Sequence, residues 1–91
     1  MEDLEHIVAD DIPESLTVTL RKPVSLGDQS YTQLALREPT AAEWQQWSKL
    51  EGVEADIMAV SIVSGTPKPV VERIGARDLM TAARYLARFL G

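Results

Sequence analysis

Pro39 divides this chain into two parts written in different periods. Before it, bulky apolar residues recur at every second position, with Leu16, Val18 and Leu20 alternating against Thr17, Thr19 and Arg21, and Leu34 and Leu36 repeating the spacing. That is the period of a strand with one face buried. After it, apolar residues recur at three and four positions, as one face of a helix requires. A single change of period predicts an α+β domain, in which an N-terminal β-hairpin over 16–37 packs on the helices that follow. With 91 residues there is room for one core only, at roughly 150 residues per domain. An isolated hairpin is marginal in water, so its apolar face needs cover from those helices or from another molecule.

The punctuation between elements agrees with this reading. Lys22-Pro23 ends the first strand or marks it as an edge, because proline has no N–H to give a ladder. Gly27-Asp28-Gln29-Ser30 supplies turn chemistry, and a second strand over 31–38 has Tyr31, Leu34 and Leu36 as its bulky positions. Thr40 then fits a helix N-cap, and Glu43 three residues on completes a capping box. Within that helix Ala41, Trp44 and Trp47 fall on one third of the circumference, which points both tryptophans the same way with Leu50 beside them. Gly52 breaks it, and Glu54 and Asp56 suit the positive end of a second helix. This second helix is apolar almost all round, relieved by Ser61 and Ser64, and it calls for a central position or a partner. Gly65 reads as its C-cap, Thr66-Pro67-Lys68-Pro69 as the start of a short extra helical turn, and Gly75 as the end of that turn. A third, clearly amphipathic helix over 77–90 closes a small bundle.

Charge and composition narrow the functional classes. Fourteen acids against nine bases give a formal charge of −5, which repels nucleic acid and anionic membranes. The acids crowd the N-terminus, where Glu2, Asp3, Glu5, Asp10, Asp11 and Glu14 stand without a single Lys or Arg. Residues 1–14 therefore read as a mobile acidic arm ahead of a domain over 15–91, and not as a signal or transit peptide. No apolar run approaches the roughly 20 residues of a membrane span. With no cysteine and His6 alone, thiol chemistry, the usual structural zinc sites and a His-paired nucleophile have no residues to use.

The remaining constellations favour binding over catalysis. Asp10-Asp11 and the Glu54/Asp56 pair lack the apolar cage that would tune a general acid, and no spacing suits a calcium loop, so no enzymatic activity, cofactor or metal is expected. Arg77, Arg84 and Arg88 form a row on the last helix that reads first as a solvated face and second as a site for an acidic segment, including the arm of another copy. Apolar surface is the larger signal: a hairpin face, a tryptophan stripe, a nearly all-apolar helix and a leucine stripe exceed what so small a globule hides easily. On the last helix Leu79, Ala83, Leu86 and Leu90 suffice for a core stripe, which leaves Tyr85 and Phe89 on one flank and Met80 on the other. Together with Met58 and Ile62 of the middle helix, these are the candidate partner-binding residues.

One stretch carries a family pattern. Lys22-Pro23-Val24 at the end of a strand, the turn glycine Gly27, a second strand reading Leu34-x-Leu36-Arg37-Glu38-Pro39-Thr40 and a following helix resemble the tail assembly chaperones of long-tailed bacteriophages, the Mu-like ones among them. The likeness extends more loosely through the apolar helix to Gly65, the proline-containing turn and Arg77-Asp78-Leu79. It implies a non-catalytic protein of the host bacterial cytoplasm that binds the tape measure protein, keeps it soluble while tail tube subunits polymerise around it, and is absent from the virion. The tail tube subunit is a further candidate partner, and homo-oligomerisation is left open. The alternative readings are a small tail or head completion protein retained in the particle, and an acidic regulator that docks on a basic partner through residues 1–14.

Overall fold

The computed structural model describes residues 12–90, and residues 1–11 and 91 lie outside the described residues. Two antiparallel strands, β1 (Ser15–Leu26) and β2 (Gln29–Arg37), form a hairpin that precedes four helices: α1 (Ala41–Gln45), α2 (Gly52–Ser64), α3 (Lys68–Val71) and α4 (Ala76–Leu90). This is the α+β architecture that the change of period at Pro39 implies. Of the arm assigned to residues 1–14, the part over 1–11 falls outside the described residues. Ile12, by contrast, packs against the core.

The hairpin turns at Gly27-Asp28, between the paired residues Leu26 and Gln29. Gly27 has φ 60° and no other residue of the turn has positive φ, the arrangement of a type II′ turn, whose first central position favours glycine. Val18, Leu20, Val24, Leu34 and Leu36 are buried on the inner face. Leu34 and Leu36, 0% and 1% exposed, each gain about 1.5–3 kcal/mol from leaving water.

Lys22-Pro23 does not end β1. Thr19 pairs with Gln33 and Val24 with Tyr31, so residues 20–23 of β1 face the single Thr32 of β2. This wide bulge absorbs the missing N–H of Pro23, after which the pairing resumes as far as Leu26. On β2, Tyr31 and Leu34 both pack on the core although a regular strand would turn residues three apart to opposite faces.

A bulge leaves backbone groups without ladder partners, and here a helix supplies one. The amide N–H of Arg21 donates to Oδ2 of Asp78 at 2.9 Å, across 57 positions of sequence. The Asp78 side chain is 8% exposed, and Nε of Arg21 lies 3.6 Å from Oδ1. Asp78 also stands in the first turn of α4, where the helix dipole favours an acid. A second bond joins α4 to the start of the hairpin: the hydroxyl of Tyr85 donates to the carbonyl of Pro13 at 2.6 Å.

The apolar α2 lies against the hairpin and α4, with Ala59, Val60 and Val63 buried. Its two serines serve the turn that follows: Ser61 donates to the carbonyl of Thr66 at 2.7 Å, and Ser64 donates to Val60 O and accepts from Thr66 N. Gly65 caps the helix at φ 70°, a left-handed conformation that glycine adopts without strain. The short α3 contributes Val70 and Val71, 0% and 1% exposed, to the same core.

These contacts assign different weights to the two members of the Arg21–Asp78 pair. Asp78→Ala should lower unfolding free energy in urea by about 1.5–3 kcal/mol, because it strands a part-buried amide that bonded a charged acceptor. Arg21→Ala should cost under about 1 kcal/mol, since its side chain is 65% exposed and its amide survives the mutation. Equal losses would show that the ion pair, and not the backbone bond, anchors the bulge.

Candidate functional site

The family-like residues Arg37, Glu38, Pro39 and Thr40 form the corner at which the sheet hands over to the helices. Thr40 has extended backbone and accepts from the Glu43 amide at 3.1 Å, while Oε1 of Glu43 accepts from the Thr40 amide at 2.9 Å. The expected capping box is therefore formed. Arg37 at the end of β2 adds a two-pronged bond to the same carboxylate, with Nη1 2.8 Å from Oε1 and Nη2 2.7 Å from Oε2. One carboxylate thus ties the last residue of the sheet to the first turn of α1. The guanidinium of Arg37, followed by the Thr40 amide, holds the Glu43 carboxyl well below its usual range, at about 2, and Glu43 in turn raises Arg37. Pro39 is buried, whereas Pro23 is exposed in the bulge. Arg37, Pro39 and Thr40 thus have architectural roles at this corner.

The tryptophan stripe is not formed. The helix begun at Thr40 stops after Gln45, and 3₁₀-type bonds from Gln46 N to Glu43 O and from Trp47 N to Trp44 O carry the chain onward. Trp47 enters the core at 5% exposure, and Trp44 stays 45% exposed beside a shallow groove lined by Ala41, Ala42, Gln45 and Ser48. The spacing of the two residues assumed a continuous α-helix, and the tightened last turn removes that premise.

The last helix is rotated relative to its expected stripe. The buried residues of α4 are Asp78, Leu79, Ala82, Tyr85 and Leu86. At 100° per residue this face is centred about 70° from the one through Leu79, Ala83, Leu86 and Leu90. The flank assignment of Tyr85 is thereby corrected: it is 4% exposed and lies within the core. Two polar anchors account for the rotation, because Asp78 and Tyr85 stand seven residues apart on one side of the helix and both bond backbone of the N-terminal part of the domain. Burial raises the Tyr85 phenol above its ordinary pKa. Phe89 is half-buried on the same side, its ring edge-on to Tyr85 with centroids 5.2 Å apart.

The other candidates are at or near the surface. Met80 is 46% exposed on the outer face of α4, and Met58 and Ile62 are half-buried on one flank of α2, packed against the core on one side. Besides Met80, the exposed large apolar residues are Leu26, Trp44, Val53 at 62% and Leu90 at 39%, none of them among the candidate partner-binding residues. For Leu90 the signal was present in the position of Asp78, whose polarity on the presumed outer side of α4 already argued for an anchor and a rotated face. Among the described residues no three His, Cys, Asp or Glu side chains gather as a metal group, and no helix is long and apolar enough to cross a membrane.

The described domain is thus a hairpin with an Arg-Glu-Pro-Thr corner, followed by helices that leave methionine and tryptophan at the surface. The chain belongs to the phage tail assembly chaperone family, described as "Phage tail assembly chaperone proteins, E, or 41 or 14", whose sequence pattern matches residues 17–91. Searches of curated proteins and of solved structures returned no match.

The acid limb of the stability curve tests the corner. Glu43 has a lower pKa folded than unfolded, so its contribution is complete above about pH 4.5 and is lost as pH falls towards about 2. Carboxyl NMR should find Glu43 titrating below the other glutamates, and Glu43→Gln should flatten the loss of stability in that window. A normal carboxylate titration would show that the Arg37 clamp does not persist in solution.

Proposed function

We propose that this chain binds the tape measure protein of its phage and keeps it soluble during tail tube assembly, without catalysing a reaction. The supporting observation is the apolar surface left over once the core is complete: Met80, Trp44, Val53 and Leu90 remain outside a domain whose interior is already filled by the hairpin, Trp47, Val60, Val70 and Leu86. A holdase needs adaptable apolar area on a charged, soluble body, and methionine suits it because its thioether chain adjusts to different partner shapes. The outer face of α4, with Met80, and the flank of α2, with Met58 and Ile62, are the surfaces assigned to the partner. Phe89 lies on the opposite, core-facing side of α4, where its ring meets Tyr85 edge-on. The site of action is the host bacterial cytoplasm, and the chaperone leaves before the particle is finished.

Co-expression with the tape measure gene of the same phage tests this reading. Soluble tape measure protein should be recovered with the chain and lost without it. Met80→Glu should reduce that recovery several-fold while leaving the melting temperature within about 4 °C, the range of a surface substitution in a domain of this size. Equal solubility with and without the chain would overturn the holdase role, and detection of the chain in purified particles by mass spectrometry would favour a retained tail or head component instead.

A further inference from the structure

The net charge of the molecule is confined to one short segment. The nine acids of residues 12–91 are matched by nine Lys and Arg, so the whole formal charge of −5 belongs to residues 1–11, at Glu2, Asp3, Glu5, Asp10 and Asp11. The outer face of α4 carries the opposite sign. Arg77, Arg84 and Arg88 lie within about 40° of one another on the helix circumference, and the one acid of α4, Asp78, is turned inward to Arg21.

An apolar seam runs beside these arginines. Met80, Ala83, Ala87 and Leu90 follow one another at intervals of three, four and three, the spacing at which a second helix or an extended apolar segment packs. Met80, Ala87 and Leu90 are exposed and Ala83 is half-buried. Residues 1–11 offer the complement, since Leu4, Ile7 and Val8 are spaced to share one side of a helical turn while acids occupy most of the rest.

The structure also fixes where that segment begins. The Pro13 carbonyl is held by the Tyr85 hydroxyl at 2.6 Å, and the charge of Arg88 acts on the same phenol, so the root lies beside the C-terminal half of α4. From Met80 to Leu90 the helix rises about 15 Å, whereas eleven residues reach about 16 Å as a helix and about 36 Å when extended. A short tether of this kind gives an effective concentration on the order of millimolar, sufficient for contacts too weak to join separate molecules.

We propose that residues 1–11 are the intramolecular occupant of the outer face of α4, with Leu4, Ile7 and Val8 over the Met80–Leu90 seam and the acids along the arginines.

The absence of cysteine makes the test clean. In full-length His6→Cys protein, which keeps every acid, a nitroxide on residue 6 should reduce the amide signals of Met80, Arg84 and Ala87 by more than half and leave Gly27 unchanged. The effect should fall at least two-fold at about 0.5 M salt, where the Debye length shrinks to a few ångströms, and likewise in Arg77→Glu/Arg84→Glu protein whose circular dichroism is unchanged. Broadening that ignores both salt and charge reversal would reduce the contact to tethering and overturn the proposal, as would no broadening. A mixture of nitroxide-bearing unlabelled chain with nitroxide-free ¹⁵N chain should show none, and broadening there would assign the occupant to a second copy. No tape measure protein is present, so failure of this experiment and failure of the holdase reading are separable.

Discussion

The buried carboxylate of Asp78 is the interaction on which the arrangement of the domain depends. The bulge at residues 20–23 leaves the Arg21 amide without a partner in the hairpin, and an unmet buried donor costs more than an ordinary hydrogen bond contributes. Asp78 meets that need from the first turn of α4, and Tyr85 holds the Pro13 carbonyl two turns later. Two bonds to the N-terminal stretch of chain fix the position of α4 along the hairpin and its rotation about its own axis. That rotation decides which apolar residues complete the core and which stay outside.

The corner at Arg37–Glu43 solves a different problem. A sheet and a helix meet there across three residues, and the helix begins with unbonded amides that need acceptors. Glu43 bonds the cap amide and the guanidinium of the last strand residue at once, so the direction in which the chain leaves the sheet is set by one side chain. The residues that carry the family pattern are therefore mainly the ones that build this corner and the bulged hairpin. Their presence specifies a scaffold.

Local signals were legible where a single segment determines its own conformation. Alternation placed both strands, Thr40 and Glu43 placed the cap, and Gly65 placed the end of α2, because each depends on backbone preferences within a few residues. The tryptophan stripe failed for a reason of the same scale: after Gln45 the chain tightens, and Trp44 and Trp47 part company although their spacing suits one helical face. Helix existence was readable in α4 as well. Its buried side was not, since Leu79 and Leu86 border both the expected face and the observed one.

What the sequence determined by itself was the order of elements, their caps and turns, the family, and the confinement of net charge to the first eleven residues. Each of these follows from composition or from neighbours along the chain. The tertiary structure alone decided that Lys22-Pro23 would sit in a bulge, that Tyr85 would be internal, and that Leu90 would face outward. The physical reason is that a bulge creates a hydrogen-bonding demand whose supplier lies 57 residues away. An amphipathic helix with more apolar residues than one stripe needs turns whichever face satisfies that demand inward.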